Sequence, residues 1–434
     1  MVARRGLDDG ALVAAVSRYA GRPLRDRWTD RQLALAALIL RSDLRRLRAE
    51  RRAAALAVRT AGERAGIGLQ GDVERRVGGR DEQGPWVVGL AGLVQVELGG
   101  KRGARLQGAR AGVLLAEGRL VATARATAVD TRLAAASLAG ALADAEDAAE
   151  EFRALERVHQ LERARFAEAA LGASELARTS TEIQNARLSW AEAEHGVLTA
   201  RAGLAAAIAV PVRSLDSLVP VLRPPSGCAS LDTTGPGAFT AAAIRGRPEI
   251  AIALAEYAIS ESRLRLEVAR QFPDLELGPG FVWDQGVNRW ALAFAVPALL
   301  GSRNRGAIAE ADAAREVAAL RVAEVQDSVL ADLDLAVERC RGAALELVAA
   351  DSVVAAAERL QRREREAYDR GETSGLEPAR AELQLLRASR ARRRAGRLLA
   401  LASLELERAA GGPPSPEAAW PDPREEPDEE AGPP

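Results

Sequence analysis

Trp290-Ala-Leu-Ala-Phe-Ala-Val-Pro297, followed after three residues by Gly301-Ser-Arg-Asn-Arg-Gly306-Ala-Ile-Ala-Glu310-Ala311, is the stretch whose reading decides the fold. From Trp290 to Val296 every second residue is large and apolar (Trp290, Leu292, Phe294, Val296), and Ala291, Ala293 and Ala295 fill the other face, which is the period of a strand. After Gly306 the period changes. Apolar and small residues then recur at helical spacing for about sixty residues without a proline, longer than an ordinary globular helix requires. At about 1.5 Å per residue such a rod reaches roughly 100 Å.

The same unit occurs earlier in the chain. Pro85 to Leu98 is strand-like, with Trp86, Val88, Leu90, Val94 and Val96 on one side, and it runs through Gly99-Gly-Lys-Arg-Gly103 into a proline-free helical stretch ending near Ala170. A shift of a little over two hundred residues superposes the halves: Phe166 falls on Tyr368, Ala169 on Gly371, Glu175 on Glu377 and Arg178 on Arg380. Each half is therefore expected to be one copy of a single fold unit.

Upstream of each long rod lies a hairpin. Ile67, Leu69 and Val73 alternate with Gln70, Asp72 and Glu74 before the loop Gly78-Gly-Arg-Asp-Glu-Gln-Gly84; Leu275, Leu277, Phe281 and Trp283 alternate with Glu276, Gly278 and Gly280 before a turn at 284–289. Each strand spans about ten residues, enough for a tilted strand to cross a bilayer in a barrel, and Trp86, Trp283 and Trp290 fall near the turn ends, where an aromatic girdle meets headgroups. Four strands leave two raw edges, which lipid does not tolerate, so other copies must supply the rest; three copies give twelve strands. The alternative is that the hairpins are small soluble caps on a coiled-coil scaffold.

Composition agrees with packed rods. Aromatics are 3% and charged residues 28%, while the 48% hydrophobic fraction is mostly Ala, Leu and Val, which suits close helix seams better than a thick core. The net charge of -1 gives no general attraction to nucleic acid, and the basic run 41–59 reads as a solvated helix face. His159 and His195 stand on predicted helices without partners at ligand spacing, so no metal site, catalytic set or cofactor is expected. Cys228 and Cys340 are too far apart and too few for a disulfide to be inferred, and neither fits a zinc spacing. Gly99-Gly-Lys-Arg-Gly103 lacks the hydroxyl and spacing of a phosphate loop. No run of eighteen apolar residues is present, and Asp8 and Asp9 interrupt the place where the apolar core of a secretory signal would follow Arg5.

In chain order, residues 1–27 form an N-terminal segment, read as flexible apart from a short helix from Gly10 to Tyr19. The first repeat covers 28–209, with a helix capped by Thr29 or Asp30, a helix from Ser42, a hairpin over 67–98, the long helix, a tip at 169–174 and a return helix. A turn-rich equatorial linker holding Pro211, Pro220, Pro224, Pro225 and Pro236 spans 210–246. The second repeat covers 247–411, with its hairpin at 274–298, its tip at 371–376, and Pro248 in the first turn of its opening helix. Residues 412–434 form a Pro- and acid-rich tail expected to be disordered. At the tips, Phe166-x-x-Ala169-x-x-Gly172-x-x-Glu175 and Tyr368-x-x-Gly371-x-x-Ser374-x-x-Glu377 interrupt each long helix with small residues, and Ser174 and Ser374 are plausible caps for the restart.

The duplicated layout, the hairpins and these tips resemble the TolC family of outer-membrane efflux ducts from about Trp28 to Gly411. Gly99-Gly-Lys-Arg-Gly-Ala-Arg105 and Arg303-Asn-Arg-Gly-Ala-Ile-Ala-Glu-Ala311 are similar to its heavy-metal branch, typified by CzcC. The fold so implied is mainly α with a small β part. It is a duplicated long-helix α-barrel protomer whose two β-hairpins give four strands to a trimeric 12-stranded outer-membrane β-barrel. The resemblance further implies a non-enzymatic homotrimer in outer-membrane lipid, docked to a periplasmic adaptor (membrane fusion) protein and an inner-membrane pump of the resistance-nodulation-division class. Phe166, Ala169, Gly172, Tyr368, Gly371 and Ser374 would contact the adaptor. The pore-tip constriction would fall on Glu377 and Arg380, with Glu175 and Arg178 as their counterparts in the first repeat. Arg380 stands where the family carries a further carboxylate, so ion pairs rather than an all-acidic ring would close the pore. The signal peptide and lipidated cysteine common in the family are not visible in this sequence.

Overall fold

The structure is a computed structural model that describes residues 6–20, 28–64, 66–75, 77, 86–222, 227–234, 236–284, 286–296 and 304–412. The loop at 78–84, the stretch 297–303 and the acidic tail from 413 onward lie outside the described residues.

The described residues hold ten helices and four strands, and within them a run of helix, hairpin, long helix and return helix occurs twice in the same order. After α1 (Gly10–Ala20) and α2 (Asp30–Leu40), the first run is α3 (Ser42–Gly62), β1 (Ile67–Arg75), β2 (Trp86–Val96), α4 (Lys101–Ala167) and α5 (Ala173–Ile208). A short 3-10 turn (Val212–Leu215), α6 (Gly227–Thr234) and α7 (Pro236–Gly246) intervene. The second run is α8 (Pro248–Ala269), β3 (Leu275–Asp284), β4 (Val287–Ala295), α9 (Arg305–Asp369) and α10 (Leu376–Ala409). The chain divides into two compact units, one holding residues up to Arg45, Val121–Arg247 and everything from Ser328, the other Arg46–Leu120 and Pro248–Asp327. Each unit draws on both halves of the sequence, and α4 and α9 contribute residues to both.

The unit of Arg46–Leu120 and Pro248–Asp327 carries one antiparallel sheet in the order β1-β2-β3-β4. Pairing Val73 with Val88, Val88 with Trp283, Leu277 with Phe294 and Phe281 with Trp290 sets the register. Because side chains alternate across the pleat, that register gathers Ile67, Leu69 and Val73, then Trp86, Val88, Leu90 and Val94, then Leu275, Leu277, Phe281 and Trp283, then Trp290, Leu292 and Phe294 on one face. The opposite face collects Gly89, Ala91, Gly278, Gly280, Ala291 and Ala293 with Gln70, Asp72, Glu74 and Arg289. The strands pack at ordinary van der Waals distance there: a Cβ added to Gly280 or Gly278 would meet the Ala91 or Ala293 methyl at 3.4 Å.

The turn into α4 needs glycine. Gly99 has φ +73°, and a Cβ on it would lie 2.8 Å from the Ala269 carbonyl oxygen, so only glycine accepts both the conformation and the contact. The neighbouring cations serve the local structure: Lys101 Nζ donates to Asp274 at 2.7 Å, and Arg105 forks onto both oxygens of Glu97 at 2.6 and 2.9 Å. Lys101 is the single lysine among 60 basic residues. In the second run Asn304, at φ +56°, donates to the Glu267 carbonyl and carboxylate, both at 2.9 Å, fixing the entry to α9.

In the other unit, Thr29 caps α2 as expected, in a reciprocal capping box with Gln32. The short helix read over Gly10 to Tyr19 is α1, which buries Leu12 and Val16. The linker 210–246 departs from its turn-rich reading. Pro236 opens α7, a position where the proline's missing N–H is not needed, and Pro211 precedes the 3-10 turn. α10 sets the packing. Ala381, Ala388, Ala395, Ala402 and Ala409 recur every seven residues and are all buried, which is the spacing of a coiled-coil seam with the smallest side chain that makes a contact. Leu376 and Leu383 turn instead to a cluster of Ala154, Leu155 and Val158 from α4 and Ala186 from α5.

Along that contact α10 presents arginines and α4 carboxylates. Arg387 and Arg390 share Glu151 at 2.8 and 2.9 Å, Arg393 bonds Asp147, Arg397 bonds Asp144, and Arg408 bonds Asp130. Paired residue numbers add to a nearly constant sum, the signature of two helices running antiparallel in fixed register. One rung is buried: Arg132 Nε donates to Asp30 at 2.9 Å and its Nη1 to both oxygens of Glu407 at 2.7 Å. Burial opposes its charge, yet Glu407 and Asp30 leave the guanidinium pKa above its ordinary value.

Candidate functional site

Both helix tips are built by one backbone device. α4 ends with Ala169 at φ +55° and α9 with Gly371 at φ +74°, positions 202 residues apart. At the first tip the Ala170 N–H reaches the Arg165 carbonyl at 2.9 Å and the Ala169 N–H the Phe166 carbonyl at 3.0 Å; at the second, Glu372 reaches Ala367 and Gly371 reaches Tyr368, both at 2.9 Å. This is the Schellman pattern in both repeats, closing the orphan carbonyls of a helix C-terminus. The expected serine caps are corrected. Gly172 and Gly375 hold the N-cap positions without side-chain bonds, Ser174 lies inside α5, and Ser374 accepts from the Leu376 N–H at 3.4 Å and from Arg165 at 3.1 Å.

Phe166 and Tyr368 occupy equivalent, exposed positions one residue before each long helix's last residue. Arg365 stacks on the Tyr368 ring at 5.7 Å.

Three carboxylates near the tip converge on Arg380. Its Nη2 donates to Glu162 Oε1 at 2.7 Å and to Glu175, while Nη1 stands 3.7 Å from Glu377. One guanidinium therefore meets carboxylates from α4, α5 and its own helix. Burial lowers and the bonds to Glu162 and Glu175 raise its pKa, with a net rise. Arg178 lies exposed on α5 and is not part of this cluster.

Glu162 is the member that sequence reading misses. It is 1% exposed, and its Oε2 is buried without a hydrogen-bond partner among the described residues. Its signal lies in the pairing just described: the α4 carboxylates answer the α10 arginines rung by rung, and Arg380 calls for one at 162.

The second candidate surface is the apolar face of the sheet. Trp290 is 84% exposed and Phe294 76%, with Ile67, Leu69 and Leu292 similarly open. The register sets Trp86, Trp283 and Trp290 toward the hairpin-turn ends of this face, with Arg75 over the Trp86 ring at 5.5 Å and Phe281 edge-on to Trp290 at 5.2 Å. Among the described residues, β1 pairs only with β2 and β4 only with β3. No described helix is long and apolar enough to cross a membrane.

A mainly helical chain that repeats a hairpin and a long antiparallel helix pair defines a class, the TolC-like helical-barrel channels with a β-barrel portion, and the fold is of that class. Three solved structures illustrate it. The outer membrane protein VceC from Vibrio cholerae matches at TM-score 0.69 and 19% identity, over 92% of this chain and 98% of that one. CusC, described in terms of folding and transmembrane channel formation, matches at 0.67 and 16% identity, over 88% and 92%. The open state of the MtrE outer membrane channel from Neisseria gonorrhoeae matches at 0.59 and 18% identity, over 95% of each chain. No family profile and no curated protein sequence matches the chain.

Proposed function

We propose that the chain is one protomer of a homotrimeric outer-membrane duct, the exit channel of a tripartite efflux system driven by a resistance-nodulation-division pump. The observation that carries this reading is the sheet: one exposed, mainly apolar face, an opposite face on which glycine, alanine and polar residues predominate, and an outer edge on each side with no described partner. In lipid, open edges are prohibitive. Three copies close them into a twelve-strand wall with the apolar face toward acyl chains, the small and polar face toward water, and Trp86, Trp283 and Trp290 at the headgroups. The helices then belong to the periplasm. Phe166, Ala169, Gly172, Tyr368, Gly371 and Ser374 meet the adaptor, and the Arg380 cluster lines the narrowest level of the pore.

Transport through such a duct is passive, and the protein needs neither catalytic residues nor a cofactor. For cargo, the similarity of 99–105 and 303–311 to the heavy-metal branch favours divalent metal cations.

Purified protein in detergent is expected to run as a trimer and to conduct ions in planar bilayers; a water-soluble monomer without conductance rejects the duct. For the constriction, Glu377→Ala with Arg380→Ala is expected to raise single-channel conductance, and an unchanged value removes these residues from the gate. For cargo, loss of the gene should lower tolerance to divalent metals; a loss confined to drug tolerance reassigns it.

A further inference from the structure

The segment between the two repeats is fastened to the helix bundle by a covalent bond. Cys228, second residue of α6, is joined to Cys340 in α9 across 112 residues of sequence, with Cα atoms 5.4 Å apart, inside the span that a disulfide bridges without backbone movement. The pairing corrects the sequence reading, which found no basis for it.

Two contacts show that α6 is seated before the bond is considered, and a third fixes the α9–α10 seam beneath it. A Cβ on Gly227 would stand 2.8 Å from the Ser403 carbonyl oxygen of α10, so the backbone of α6 lies directly on that helix. The Cys228 N–H, one of the unsatisfied donors at a helix start, donates to Ser403 Oγ at 3.3 Å. Cys340 is 1% exposed, on the same seam as the buried Ala402, whose carbonyl oxygen is 3.6 Å from its sulfur. An eight-residue helix has little stability by itself; seated by glycine, capped by a foreign serine and bonded to α9, it spans the α9–α10 pair.

We propose that Cys228–Cys340 is a clasp formed after export, an oxidative modification that pins α6 across α9 and α10 and is completed only in an oxidising compartment. The chemistry is two successive thiol–disulfide exchanges with an external disulfide, of the dithiol oxidoreductase or oxidised-glutathione class. The Cys228 thiolate, on the more open side, attacks the donor, forming a mixed disulfide and releasing one thiol. The Cys340 thiolate then displaces the second, so the chain loses two protons and two electrons and the donor disulfide gains them. Such bonds persist in the periplasm and are rare in the cytosol. The clasp does not depend on the duct reading, since a secreted scaffold could carry it equally.

The test uses the full chain taken from the envelope fraction and quenched with iodoacetamide. Intact mass is expected to show no added label before dithiothreitol and two labels after it; two labels without reductant overturn the clasp. Protease cleavage within 216–246 is expected to quicken at least tenfold on reduction, and likewise in Cys228→Ser/Cys340→Ser. If the double variant does not fold, reduction of the wild-type protein carries the same comparison. An equal cleavage rate in oxidised and reduced protein overturns the role given to the bond.

Discussion

Ala169 and Gly371 do the same task with different chemistry. A left-handed φ costs a residue with a Cβ roughly 1–2 kcal/mol that glycine avoids, so the first tip holds strain that the second does not. Ala169→Gly is expected to stabilise the tip by about 1 kcal/mol, read as slower amide exchange at Ala170; no change in exchange would mean that the turn opens by another route. Glu267 belongs to the same scale. Hydrogen bonds from Asn304, then Arg270, hold its carboxyl below its ordinary pKa although burial pushes the other way. A depressed folded-state pKa stabilises above the unfolded value and is lost as pH falls through the folded one. Asn304→Ala should therefore cost about 1 kcal/mol near neutral pH and flatten the acid side of the Tm profile; an acid limb parallel to wild type refutes the link.

Among the elements, the ion pairs made by α10 separate into those that hold and those that merely accompany. Removing Arg132 leaves Asp30 and Glu407 buried without their cation, a loss of about 3–5 kcal/mol, so Arg132→Met should lower Tm sharply. Arg392, which pairs with Asp351 of α9 at a half-exposed site, should move stability by less than about 0.5 kcal/mol when changed to Ala. Thermal melts of the two variants decide it, and equal losses would contradict the assignment. This is also the scale at which the sequence was most and least readable. The strand period at Trp290–Val296 and the helix bounds near 101, 173 and 248 could be read directly, because periods of two and 3.6 are local. Glu162 could not, since its role depends on the register of two helices whose meeting residues lie 218 apart. Nor could the disulfide, whose geometry arises only when α6 is seated. The prolines misled for a local reason: read as breaks, one of them begins a helix.

At the scale of the molecule, the compact units cut across the duplication. One is assembled from three chain segments and the other from two, and the sheet pairs β2 of the first repeat with β3 of the second. Neither repeat therefore owns a complete core, and folding must close long loops before its central contacts form. Residues 1–209 and 210–434 expressed separately are expected to lack a cooperative melt, and co-expression should restore one. A cooperative transition in either half alone would show that a repeat is self-sufficient.

The pair between Lys101 and Asp274 gives the molecule a built-in reporter. Apart from two histidines, whose imidazoles give no stable amide, every other basic side chain is an arginine, inert to acylating reagents, so an amine-selective probe leaves a lasting label only on this ammonium and the chain's amino terminus. While the 2.7 Å bond holds, acylation at Lys101 should be slow. The rate at which that one side chain takes up label is thus a direct clock for the opening of the strand-to-helix junction, legible from a single peptide.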